Sequence, residues 1–134
     1  MSKHYIRLKQ NRGFWDSQEY NSYLLRVFVF IFQESSDFLN SLIGYMSDPQ
    51  YTGFGGNAAN VSFKNNYVKI MWFYDDDPDE NAFVVEKDLL IKIIRAWQQL
   101  VKQAPKEITI CQEGDTFILE GVLGDGEKVT HIVE

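Results

Sequence analysis

Apolar and polar residues follow several different periods along this 134-residue chain, and each change of period marks an element. The clearest is EKDLLIKIIRAWQQLVKQAP, where Leu89, Leu90, Ile93, Ile94, Trp97, Leu100 and Val101 recur at spacings of three and four, with Lys92, Arg95, Gln99 and Lys102 opposite. That spacing predicts an amphipathic helix stopped by Pro105. A second helix is predicted over DFLNSLIGYM, where Phe38, Leu39, Leu42, Ile43 and Met46 share a face. Ser35 and Ser36 are available to cap it, and Asp48 and Pro49 end it. Asp16 followed three residues later by Glu19 has the form of a capping box ahead of an apolar run, which predicts a helix from about Ser17 to Gln33. The β-branched and aromatic VFVFIF within it suits a strand instead.

Shorter alternating runs predict strands at NVSF, YVKIMWFY, AFVV, EITICQ, TFILEGVL and KVTHIV. KNN reads as a hairpin turn, since Asn tolerates positive φ, and GDGE as another. The start, MSKHYIRLKQNRG, is open between a flexible basic arm over residues 1–13 and a first strand. Helices followed by strands, then a helix and more strands, predict an α+β fold. Its antiparallel sheet, of about four to six strands, would be covered by two or three helices.

The length fits one domain spanning 1–134, able to bury roughly two thirds of the surface its unfolded chain exposes. A hydrophobic share of 45% supplies the core. The formal charge is −6, yet the first twelve residues hold Lys3, Arg7, Lys9 and Arg12 and no acid, so the other 122 carry −10. A body that negative repels nucleic acid and anionic membrane and attracts a basic partner. The single cysteine, Cys111, forms no internal disulfide, and the start lacks the pattern of a secretory leader, so a reducing cytoplasm is the expected compartment. The most apolar stretch, YLLRVFVFIF, is too short for a membrane span and is interrupted by Arg26.

Candidate chemistry centres on WFYDDDPDENAFVV. Three aromatics, Trp72, Phe73 and Tyr74, lead into five carboxylates within six positions: Asp75, Asp76, Asp77, Asp79 and Glu80. Asp75, Asp77 and Asp79 match positions 1, 3 and 5 of a calcium loop, with Glu86 at position 12. Position 6, which needs glycine, holds Glu80, and Pro78 stiffens the middle, so the match fails and no metal is assigned. GFGG lacks the Gly-Lys-Ser/Thr ending of a phosphate loop and reads as a structural turn. His4 and His131 have nothing to orient them, and Cys111 lies in an apolar strand pattern where a thiol behaves as a small hydrophobe. No catalytic residue and no cofactor are assigned. Five carboxylates on a hairpin tip would instead dock a basic protein, with Trp72 or Tyr74 as anchors. A second acidic set, Glu113, Asp115, Glu120, Asp125 and Glu127, competes as the interface. The plainer reading of the same loop is a charged turn that keeps a sheet edge soluble.

Tyr51 to Pro105, with GFGGNAANVSF, the strand YVKI, the acidic hairpin and DLLIKIIRAWQQLVK with its one tryptophan, resembles the immunity proteins of bacterial contact-dependent growth inhibition systems. The resemblance implies a small non-enzymatic cytoplasmic protein that binds the toxic C-terminal domain of a large surface effector. Such toxins are often nucleases, whose cationic phosphate sites an acidic protein can cover. The expected toxin is therefore basic, a ribonuclease foremost. The alternatives are a calcium-binding module or small enzyme using the Asp75–Glu80 carboxylates, and an adaptor for an unrelated basic protein.

Overall fold

The computed structural model describes residues 3–134, in which three α-helices accompany two antiparallel sheets of five and four strands. The α+β class and antiparallel pairing are as the periods predict, and each sheet separately has the expected size. The one domain read from the sequence is built as two compact units, residues 3–25 with Lys92–Glu134, and Arg26–Ile91. Among the described residues, no helix is long and apolar enough to cross a membrane.

In the first unit, β1 (His4–Asn11), β2 (Phe14–Tyr20), β7 (Glu107–Glu113), β8 (Thr116–Val122) and β9 (Lys128–Val133) are ordered β2-β1-β7-β8-β9. The basic start is thus a strand from His4 onward, hydrogen-bonded to neighbours on both sides; Met1 and Ser2 lie outside the described residues. The period of two places Ile6, Leu8, Ile108, Ile110, Phe117 and Leu119 on one face, all buried. Helix α3 (Lys87–Val101) contributes Trp97, which meets Trp15 edge to face at 5.4 Å, and Leu100, which lies against Gly121. A Cβ at Gly121 would stand 2.7 Å from Leu100 Cδ1, so the absence of a side chain is what admits the leucine. On the opposite face Arg7 pairs with Glu107 at 3.2 Å and Glu19 at 3.6 Å, and Tyr5 donates a hydrogen bond to Glu19.

The second unit holds β3 (Gly53–Gly55), β4 (Ala59–Lys64), β5 (Tyr67–Trp72) and β6 (Phe83–Glu86) in chain order, and α2 (Ser36–Met46). Val61, Phe63, Val68, Ile70, Phe83 and Val85 alternate onto its buried face. Phe28 stacks on Phe83 at 4.6 Å, and Phe38 and Tyr45 of α2 each lie 4.8 Å from Phe54. Burying a ring as fully as Phe28, Phe38 or Phe83 contributes about 1.5–3 kcal/mol. Asn65, at φ 55, makes the turn between β4 and β5.

Three expectations are corrected. The helix predicted over 17–33 begins only at Tyr23: α1 covers Tyr23–Phe28, and Val29–Gln33 continues as a 3-10 helix. Asp16 and Glu19 lie in β2 and bond sideways, to Asn11 and to Tyr5 and Arg7, while the hydroxyl that accepts from the first turn belongs to Ser22, 3.2 Å from Leu25 N. Ser35 occupies the N-cap of α2, but Phe38 N donates to its carbonyl rather than its hydroxyl, and the Ser36 side chain lies outside the described residues. GFGG, read as a turn, supplies the edge strand β3.

Candidate functional site

The last β5–β6 pair, Ile70 with Phe83, leaves residues 73–82 as the connection, so the acidic stretch does cap a hairpin. Its carboxylates are not equivalent. Asp75 Oδ1 accepts from Asp77 N at 2.9 Å and Asn81 Nδ2 at 2.8 Å; Asp77 Oδ1 accepts from Glu80 N at 3.3 Å. These two hold the loop by Asx-type bonds, satisfying backbone donors that a turn would otherwise leave to water. Asp79 is ion-paired with Lys69 of β5. Asp76 and Glu80 are exposed and, among the described residues, their side chains have no hydrogen-bonding or ionic partner. Only these two are uncommitted to the chain itself.

The aromatic residues also divide. Trp72 is half-buried, stacked on Phe30 at 5.2 Å with the rings 7° apart, and the Arg26 guanidinium sits 5.8 Å from its centroid. It belongs to the core stack more than to the surface. Tyr74 is 67% exposed and Phe73, which sequence reasoning did not select, is 55% exposed, in a T-shaped pair 5.1 Å apart. The strand ends at Trp72, so the alternation of faces stops there and both following rings reach water; a turn signal at Asp75 was the available clue. Beside the loop, an open groove on the outer side of the sheet is lined by Ser62, Lys64, Tyr67, Lys69, Asp79 and Val84. Tyr67 and Val84 are more than half exposed there.

The second acidic set is not one surface. Glu113 and Asp115 lie at the β7–β8 turn, Asp125 and Glu127 at the β8–β9 turn, and the seven residues of β8 hold these turns roughly 20 Å apart at about 3.3 Å per residue. Glu120, midway, pairs with Lys128 at 3.8 Å. Among the described residues no group of three or more His, Cys, Asp or Glu is placed to hold a metal ion. Asp75, Asp77 and Asp79 spend oxygens on Asn81, on backbone N–H groups and on Lys69.

The glycine-rich stretch has an anion of its own. Glu34, following the 3-10 helix, accepts from Ala58 N at 2.7 Å, Asn57 N at 3.1 Å and Ala59 N at 3.4 Å. A Cβ at Gly56 would lie 2.6 Å from the Glu34 carboxyl carbon and 2.7 Å from the Phe38 ring. The backbone donors that a phosphate would need are therefore given to a carboxylate of the same chain. Cys111, half-buried on β7, has its thiol pushed up, first by burial and then by Glu120 and Glu113, against the pull of Lys3, which is the opposite of what a nucleophile needs. No family model, curated protein or solved structure matches this chain.

Proposed function

We propose that this chain is a non-enzymatic immunity protein, one that neutralises a basic toxin domain, a nuclease foremost, by laying the β5–β6 hairpin against its cations. The observation that carries the reading is the pairing of free carboxylates, Asp76 and Glu80, with two exposed rings, Phe73 and Tyr74, on one ordered loop. Ring area desolvates the contact and charge steers it, the division of labour found in tight interfaces. The resemblance of Tyr51 to Pro105 to contact-dependent growth inhibition immunity proteins supports the same reading. Trp72 backs the loop from inside, and Asp75, Asp77 and Asp79 shape it. In a cell expressing the toxin domain of an effector encoded beside this gene, the wild-type chain should protect. Asp76→Lys with Glu80→Lys should weaken binding about a hundredfold, and more steeply at low salt. These two side chains make no bond to the loop, so the substitutions test docking without removing its supports. Full protection by the doubly reversed chain would refute the assignment of the hairpin.

The alternative of a calcium-binding module has less support, because the three aspartates that would begin the ligand set are engaged within the loop or with Lys69. Calorimetry with calcium separates the two readings: heat and a raised melting temperature favour the module.

A further inference from the structure

The five-stranded sheet ends in two edge strands, β2 and β9, and they are finished differently. β2 carries Asp16 and Glu19, and its ladder with β1 is broken by a register shift between Arg7 and Leu8. Charge and irregularity of this kind deter the addition of another strand. β9 has neither. It pairs with β8 in unbroken register over Lys128–Val133, contains no proline and no acid, and leaves Ile132 68% exposed.

We propose that β9 is a self-association edge, through which two copies of this chain pair antiparallel about a two-fold axis beside His131. The register follows from the residues. Residues facing each other across an antiparallel pair point to the same side, so keeping the buried faces of both copies on one side requires the axis to pass beside a residue rather than between two. With the axis at His131, Lys128 of each copy stands opposite Glu134 of the other, Val129 opposite Val133, and Thr130 opposite Ile132. This one charged contact forms twice by symmetry, each Lys128 exchanging Glu120 of its own chain, and each Glu134 the Thr116 hydroxyl, for the residue of the other copy. Moving the axis one residue back, to Thr130, sets Lys128 against Ile132 and removes it. At the axis the His131 residues of the two copies stand opposite each other, with Cβ atoms about 4.5–5.5 Å apart.

Sedimentation equilibrium of the full chain from about 1 to 200 μM tests this, since a reversible dimer follows mass action. The expected result is a mass that moves from one chain toward two. Ile132→Lys, at an exposed position, and Lys128→Glu should each weaken the dimer by roughly tenfold or more, and combining Lys128→Glu with Glu134→Lys should restore it. Circular dichroism verifies that each variant folds. A single-chain mass across the whole range, or a dimer that ignores the substitutions or is not restored by the charge exchange, overturns the proposal.

Discussion

Replacing Glu34 with Ala tests what the glycine-rich loop is for. The carboxylate accepts strongly from Ala58 N and Asn57 N, at 2.7 and 3.1 Å, and only weakly from Ala59 N at 3.4 Å. Hydrogen bonds to a charged group contribute about 1.5–3 kcal/mol each. Asn57 is exposed, so water recovers most of its bond, whereas Ala58 is half-buried and Ala59 fully buried. The net loss on Glu34→Ala is then about 2–3 kcal/mol, concentrated where β4 begins. Native-state amide exchange reads this residue by residue. At about 1.4 kcal/mol per tenfold, exchange at Ala58 should accelerate roughly 30- to 140-fold. Glu34→Gln, which keeps an oxygen acceptor but loses the charge, should fall between. An acceleration below about threefold in Glu34→Ala would show that the loop keeps its shape without an anion, and the reasoning would fail.

Three further expectations follow from the first unit. Glu19 is held below the ordinary glutamate range, chiefly by the Tyr5 hydrogen bond and also by Arg7, and Tyr5 is pushed up, chiefly by the same bond. Their contribution to stability is therefore lost as pH falls through the folded value of Glu19, and again as pH rises through that of Tyr5; Glu19→Gln should flatten urea midpoints at both ends. Gly121→Ala should cost about 1–3 kcal/mol by thermal unfolding, because its Cβ would press on the fully buried Leu100. A milder outcome would mean that Leu100 has room to turn aside. Cys111 should react with a thiol reagent more slowly than a free cysteine at neutral pH and speed up as the solution becomes alkaline, since its thiol is pushed up mainly by burial.

The elements legible in the sequence are those with one buried and one wet side. β4, β5, β7 and β8 alternate cleanly, and α3 carries its stripe at helical spacing. The stretch Val27–Phe32 was ambiguous because all six residues are buried, so no period survives to tell helix from strand. Asp16 and Glu19 misled because their spacing suits a helix start as well as cross-strand bonding, and only the pairing with β1 decides between them. β3 was hidden by its glycines, which allow close approach to β4: a Cβ at Gly53 would lie 2.9 Å from Val61 O. The hairpin position of the acidic loop was legible. Which carboxylates it keeps for itself was not, because that depends on Asn81 and Lys69 folding back on Asp75 and Asp79.

The tryptophans fall on both sides of the division between the units: Trp72 in one, Trp15 and Trp97 in the other. Tyr74 stands edge-on to Trp72 with centroids 6.3 Å apart, and Trp72 lies against Phe30 under Arg26. The molecule thus contains its own optical gauge. A Trp15→Phe, Trp97→Phe chain would leave one indole emitting, and a ligand that pulls Tyr74 aside should change its colour and brightness. A ligand settling on the other sheet should leave that light as it was.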